Sequence, residues 1–144
     1  MSIALASRVR NEMCYIQICI DEYEEGEICG RLYNAYYSDA IFFDNGMEMI
    51  RKMDAIFDQF GYPRPTMDLR SFRDEETPKL PRLKCSPMTV LKKHTSRGKL
   101  ATFKTRIMFR QNASWQGLVK WLEEDVEENF ASMLELLMLM NSIF

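Results

Sequence analysis

The octapeptide RQNASWQG, residues 110–117, joins two strand-like stretches and carries the glycine on which the interpretation of the whole chain depends. The stretch TFKTRIMFR (102–110) precedes its turn, and WQGLVKW (115–121) follows it. Both alternate apolar and polar side chains, as half-buried strands do. Small polar residues between two such stretches predict a hairpin turn. Residues 110–117 are therefore predicted to form a hairpin, with Gly117 inside its second strand.

A related pattern occurs 87 residues earlier in the chain. At this offset, 7 of 43 aligned positions are identical without a gap. Each identical pair joins a residue of the first copy to one of the second: Ile20/Ile107, Gly30/Gly117, Phe43/Phe130, Glu48/Glu135, Met53/Met140, Ile56/Ile143 and Phe57/Phe144. A single gapless offset of this kind predicts an internal repeat.

Each copy is predicted to form three strands and a helix. In the first copy the predicted strands are YIQICIDEY (15–23), ICGRLYNAY (28–36) and AIFF (40–43), and Asp44 or Asn45 caps the helix that follows. Ser132 has the same capping position in the second copy. The prediction is an α+β fold of two duplicated β-β-β-α units related by a pseudo-twofold axis. Their antiparallel strands form either two three-stranded sheets or one larger sheet.

The chain is long enough for one domain, and we interpret residues 1–144 as a single domain. The first unit spans residues 14–60 and the second spans residues 102–144. All five prolines fall in residues 61–101. Because proline interrupts helices and removes a donor from a strand ladder, this basic segment is predicted to be an extended connection.

Charge is distributed unevenly along the chain. Residues 1–60 hold 5 Lys/Arg and 11 Asp/Glu, residues 61–110 hold 13 and 4, and residues 111–144 hold 1 and 6. The basic centre either neutralises the acidic flanks within the fold or faces an anionic partner. For a nucleic-acid partner, the candidate contacts are cations of this centre: Arg82, Lys84, Lys92, Lys93, Arg97, Lys99 and Arg106.

Trp115 and Trp121 have matching parity on one predicted strand, so both project to the same face of the sheet. They are either core residues beneath a helix or an exposed aromatic surface beside Arg110. On the second interpretation this region binds a protein partner. The candidate partner-binding residues are those of the turn and its flanks: Arg110, Gln111, Asn112, Trp115, Gln116 and Trp121.

The C-terminal helix, MLELLMLMNSIF (133–144), is apolar nearly all round. One side of such a helix can cover its own sheet, and the other side needs another cover. The cover is either the helix of the first unit or a neighbouring molecule, and we favour a neighbour. The predicted oligomer interface comprises apolar residues of this helix: Leu136, Met138, Leu139 and Ile143. A homodimer or a complex with a protein partner is expected.

The residues that usually carry catalysis or metal binding are sparse. The single histidine, His94, has no acidic neighbour in sequence, and the four cysteines include no C-x-x-C pair. No combination of side chains meets the needs of acid–base or nucleophilic catalysis, so neither an enzyme nor a cofactor or metal is expected. No stretch resembles a signal peptide or reaches the roughly 20 apolar residues of a membrane helix, which predicts a cytoplasmic protein and no membrane partner. The leading hypothesis is a non-enzymatic protein-binding or regulatory module, and the alternative is a nucleic-acid-binding protein.

The stretch RQNASWQGLVKW (110–121), followed by a helix start of the form F-x-S-x-LEL (130–136), resembles a family of small uncharacterised proteins from Clostridia-type Firmicutes. In that family the pattern at the helix start is F-R-S-x-LEL, and this chain has Ala131 at the position of the arginine. The resemblance covers mainly residues 103–144, with weaker likeness at GRLYNAY (30–36). It implies a source and a shared fold, and no activity.

Overall fold

The computed structural model describes residues 13–37, 39–61, 96–111 and 114–144. Within these ranges lie six strands and two complete helices: β1 (Tyr15–Glu24), β2 (Glu27–Tyr33), β3 (Ile41–Phe43), α1 (Gly46–Phe60), β4 (Ala101–Gln111), β5 (Ser114–Trp121), β6 (Val126–Phe130) and α2 (Met133–Asn141). The order of elements is β-β-β-α twice over, as the strand and helix patterns predict.

The six strands form one sheet in the order β3-β2-β1-β4-β5-β6, and every neighbouring pair is antiparallel. The first strands of the two units, β1 and β4, pair at the centre from Tyr15 opposite Arg106 to Ile20 opposite Ala101. Of the two predicted arrangements, the single larger sheet is therefore correct. The predicted α+β class is confirmed.

The core lies between the two helices and one side of the sheet, which we call the helix side. On β1 this side carries Ile16, Ile18 and Ile20, none of which is exposed to solvent. Thr105 of β4 is also buried there, and its hydroxyl donates to the Ile16 carbonyl at 3.0 Å. The opposite side, which we call the outer side, carries residues of the other parity, such as Lys104. The alternation that predicts the strands thus also separates the two sides.

The two units share the same row of residues across their strands. In the first, Gly30 lies opposite Ile20 on β1 and Phe43 on β3. In the second, Gly117 lies opposite Ile107 on β4 and Phe130 on β6. The two rows, Ile20–Gly30–Phe43 and Ile107–Gly117–Phe130, contain three of the identical pairs at the offset of 87. A register irregularity follows the isoleucine in both units, between Ile20 and Glu22 and between Ile107 and Phe109.

Both helices begin with a side-chain cap at the predicted place. Asn45 accepts from the Glu48 amide at 2.8 Å, and Ser132 accepts from the Glu135 amide at 3.0 Å. Asn45, rather than Asp44, is therefore the cap of α1. The helices differ in burial, because α1 buries seven of its fifteen residues and α2 buries two of its nine. Much of the apolar surface of α2 is therefore left for other contacts.

The hairpin of each unit contacts the helix of the other unit. Tyr23 of β1 stacks on Phe144, just after α2, with ring centroids 4.8 Å apart. Arg110 of β4 lies over Phe57 of α1, with its guanidinium carbon 5.5 Å from the ring centroid. Tyr23 and Arg110 occupy equivalent positions at the offset of 87, as do Phe57 and Phe144. The two contacts therefore join equivalent positions of the two units.

Two predicted elements end earlier in the structure than in the sequence pattern. The strand β2 stops at Tyr33 because the Asn34 side chain accepts from the Tyr36 amide at 2.9 Å and closes a turn. The helix α2 ends at Asn141, where Ser142 bonds back to the Leu139 carbonyl at 2.6 Å. No helix in the described ranges is both long and apolar enough to span a membrane.

Candidate functional site

Arg110, a predicted partner-binding residue, lies inside the molecule. Its side chain is 1% exposed, and its Nη1 donates to Asp54 at 2.7 Å and to Asp58 at 3.0 Å. The same nitrogen lies 3.3 Å from the Asp54 carbonyl oxygen. Both acids belong to α1, so a cation from the second unit is paired with the helix of the first. A buried charge needs such partners, and this arrangement is that of a structural contact between units.

The register irregularity in β4 explains why Arg110 faces inward. Simple alternation from Lys104 and Arg106 would place Arg110 on the outer side with them. The bulge between Ile107 and Phe109 shifts the parity by one residue, so that Arg110 pairs with Trp115 on the helix side. Phe109 is left 51% exposed by the same shift.

Trp115 is part of the core. It is 1% exposed and packs edge-on against Phe57 of α1, with ring centroids 5.9 Å apart and planes at 68°. The predicted exposed surface formed by Arg110 and Trp115 is therefore wrong, because both side chains are enclosed between the hairpin and α1. The structure agrees with the other interpretation, in which the aromatic residues belong to the core beneath a helix.

The other predicted partner-binding residues of this hairpin are divided between the two sides of the sheet. Trp121 is partly buried against the core on the same side as Trp115, as their parity predicts. Its buried Nε1 has no hydrogen-bond partner among the described residues. Gln116 is exposed. The strand β4 ends at Gln111, and Asn112 lies outside the described residues.

The predicted interface on α2 contains one exposed residue. Met138 is 62% exposed. Leu136 is fully buried against the sheet and cannot contact another molecule, so its place in the predicted interface is wrong. Leu139 and Ile143 are partly buried against the core. The helix turns Leu136 inward because its neighbours at three- and four-residue spacing, including Met140, share the same face.

Two exposed apolar residues of the helices are absent from the predicted interface. Leu134 lies one turn before Met138 on α2 and is 67% exposed, and Met47 in the first turn of α1 is also 67% exposed. A Cβ placed on Gly46 would lie 3.0 Å from Leu137 Cδ2, so the start of α1 abuts α2. We call Met47, Leu134 and Met138 the helix patch. Equivalence at the offset of 87 could not have identified this patch, because Met53 and Met140 are equivalent too and both are buried.

The candidate nucleic-acid contacts do not form one basic surface in the described part of the chain. Arg97 pairs with Glu123 at 3.4 Å, and the Lys99 amide donates to Asp21 at 3.1 Å. Arg106 lies farther along β4, with its guanidinium carbon 5.8 Å from the Tyr15 ring centroid. The other four candidates, Arg82, Lys84, Lys92 and Lys93, lie outside the described residues.

A carboxylate clamp fixes the segment that leads into β4. Asp21 accepts two bonds from the Arg31 guanidinium, at 2.9 and 3.1 Å, and a third from the Lys99 amide at 3.1 Å. Arg31 also donates to the Arg97 carbonyl at 2.9 Å. Partial burial acts to raise the pKa of Asp21, but the bonds from Arg31 and Lys99 outweigh it and hold that pKa below its ordinary value. The clamp joins β1, β2 and residues 97–99.

The thiols of Cys19 and Cys29 are free. Cys14 and Cys19 are buried, and Cys19 contacts the Ser96 carbonyl at 3.7 Å. Burial raises the pKa of the Cys19 thiol, which keeps it protonated and unreactive near neutral pH. Within the described residues, no group of three histidine, cysteine or acidic side chains is placed to hold a metal ion.

No family model, curated protein or solved structure matches this chain. The candidate site is therefore assigned from the structure alone. It is the helix patch, whose three apolar side chains are 62–67% exposed.

Proposed function

We propose that the protein is a non-enzymatic protein-binding module that uses the helix patch. The observation that supports this proposal is the exposure of Leu134 and Met138, which lie one turn apart on α2 and are 67% and 62% exposed. Burying a side chain of this size is favourable by roughly 1.5–3 kcal/mol. Adjacent exposed apolar side chains are typical of a binding surface.

The partner that we propose for the helix patch is a second copy of the chain. Met47 and Leu134 hold equivalent positions at the offset of 87, whereas Met138 is equivalent to Arg51, so the patch lies mainly on α2. In a closed twofold dimer the same surface of each copy faces the other, so an exposed apolar surface can be covered by its own copy. The alternative partner is a different protein with an apolar surface.

We also propose that the two β-β-β-α units arose by internal duplication. The matching rows around Gly30 and Gly117, the matching caps and the two contacts between equivalent positions support this proposal. A cytoplasmic location is proposed as well. It is supported by the free thiols of Cys19 and Cys29, which persist in a reducing compartment.

Light scattering on the purified chain tests the proposed dimer. We expect a dimer for the wild type, and we expect Leu134→Lys with Met138→Lys to weaken dimerisation roughly tenfold or more. Both residues are exposed, so thermal unfolding of the monomer should change little. These positions are better suited than Leu139, because a lysine at that partly buried residue would disturb the core.

The matched control is Phe42→Lys with Phe109→Lys, which adds the same two charges at apolar strand residues that are 63% and 51% exposed. The control should leave the dimer intact. A wild type that is monomeric at high concentration would exclude the homodimer. If a partner protein captured from the host bound the double variant with the same affinity as the wild type, the helix patch would not be a binding surface.

The second candidate function is nucleic-acid binding, and one observation favours it. On the outer side, Lys104 lies directly opposite Lys120, and Arg106 follows two residues along β4. Like charges at opposed positions are unfavourable unless another group compensates them. Lys104 lies over the Tyr15 ring and Lys120 pairs with Asp125 at 2.9 Å, so the cluster is partly compensated within the chain. We therefore place this function second.

A further inference from the structure

The edges of the sheet differ in how far they are protected. At one edge, β3 is three residues long, and the Lys52 ammonium already donates to the Phe42 carbonyl. At the other edge, β6 is five residues long and pairs only with β5 among the described strands. Its residues Val126–Asn129 are all exposed. An edge strand presents a row of backbone donors and acceptors that another strand can use. Within the part of the chain that the structure describes, the edge formed by β6 is therefore open to strand addition.

The charges on β6 fall on both sides of the sheet. Glu127 lies opposite Lys120 on the outer side, whereas Glu128 lies opposite Val119 on the helix side. Glu128 forms no ion pair within the described residues, and Lys120 already pairs with Asp125. A strand added beside β6 would meet one carboxylate on each of its faces.

These carboxylates disfavour a second copy of β6 as the added strand. In an antiparallel pair of two β6 strands centred on Glu128, that residue would oppose itself. With the centre on Glu127 instead, that residue would oppose itself. Like charges directly opposite each other destabilise a strand pair, so a second copy is disfavoured at this edge.

We propose that β6 binds an extended basic segment of a partner protein by strand addition. The recognised feature is a pair of adjacent Lys or Arg residues, because neighbouring side chains of a strand point to opposite faces and would reach Glu127 and Glu128. Main-chain hydrogen bonds along β6 provide affinity, and the two ion pairs provide selectivity. This surface is separate from the helix patch, and its partner is distinct from the second copy proposed there.

The test uses the full-length chain and three labelled hexapeptides, with binding followed by fluorescence anisotropy. The probe is Thr-Val-Lys-Arg-Val-Thr with blocked ends. In the second peptide Glu-Glu replaces Lys-Arg, and in the third both valines are replaced by proline, which keeps the charge but removes two backbone donors. We expect the probe to bind, the proline peptide to bind at least about fivefold more weakly, and the acidic peptide not to bind.

A pair of protein variants distinguishes binding at the β6 edge from a general effect of the protein's net charge. Glu127→Lys with Glu128→Lys should weaken binding of the probe about tenfold, because attraction becomes repulsion at two positions. Glu24→Lys with Glu27→Lys makes the same change in net charge at exposed residues on either side of the β1–β2 turn and should have little effect. Binding should also slow hydrogen exchange of the amides of Val126–Asn129.

Three results would overturn the proposal. The first is absence of binding to the probe, which would leave the acidic edge as protection against aggregation. The second is equal affinity for the proline peptide, since binding would then be electrostatic without strand addition. The third is an equal loss of affinity in both protein variants. The peptide comparison uses the wild type, so it remains decisive even if the β6 variant is unstable.

Discussion

Two glycines allow the hairpin strands to approach each other as closely as they do. A Cβ at Gly30 would lie 1.8 Å from the Cys19 carbonyl oxygen, and a Cβ at Gly117 would lie 2.0 Å from that of Arg106. Both distances are far shorter than van der Waals contact. Each glycine is next to a register irregularity, which brings the neighbouring backbone toward it. The identity of these residues is therefore fixed by backbone packing.

Replacing Gly117 with alanine should destabilise the protein by about 3 kcal/mol, because β4 or β5 must move to admit the methyl group. Urea unfolding followed by circular dichroism measures this change. Gln116→Ala, at the exposed neighbouring position, is the matched control and should alter the free energy of unfolding by less than about 0.5 kcal/mol. Equal stability of the two variants would contradict the close approach at Gly117.

At the scale of elements, the strands and helices could be predicted well from the sequence. Alternation identified the hairpins, and short polar side chains marked Asp44 or Asn45, and Ser132, as helix caps. The burial of Arg110 was missed because alternation carries no signal for the bulge that turns its side chain to the helix side. The exposure of Leu134 was missed because an almost wholly apolar helix gives no indication of which side faces its sheet.

The Asp21 clamp should make the attachment of residues 97–99 to β1 and β2 depend on pH. The pKa of Asp21 is lower in the folded chain than its ordinary value of 3.8, so the carboxylate stabilises the fold above that value. This contribution is lost as the pH falls through the folded pKa. Asp21→Asn should therefore cost about 1–2 kcal/mol at pH 7, and this cost should decrease as the pH falls below 3.8 toward pH 2.5.

Urea unfolding of the wild type and Asp21→Asn across this pH range measures the effect. Glu124→Gln removes an exposed carboxylate of the β5–β6 turn and provides the control, with no measurable change expected at either pH. A difference between wild type and Asp21→Asn that stayed constant down to pH 2.5 would exclude a contribution from the charge of Asp21.

At the scale of the whole molecule, the sheet joins the acidic first unit to the second through β1 and β4. The repeat predicted two similar units, but the sequence left open whether their sheets merge, since that depends on backbone pairing between distant strands. In the described part of the chain, positively and negatively charged residues lie side by side at the end of the sheet near Asp21 and Glu123. This mixture is unfavourable for a polyanion, whose binding requires a continuous positive surface.

We therefore predict no tight, salt-sensitive binding of the protein to mixed RNA or DNA. Filter binding or anisotropy at two salt concentrations measures this, because phosphate contacts make affinity fall steeply as salt increases. A dissociation constant below roughly one micromolar that is lost in Lys92→Glu with Lys93→Glu would reverse the order of the two functions.

The central pairing of β1 with β4 also has a consequence for the folding pathway. Each hairpin closes a short loop, whereas the central pair joins residues 81 to 91 positions apart, from Ile20 with Ala101 to Tyr15 with Arg106. Closing so long a loop costs more chain entropy than forming either hairpin. We expect the hairpins to form early and the central pair to form late, so that substitutions at the β1–β4 contact chiefly change the rate of the final docking step.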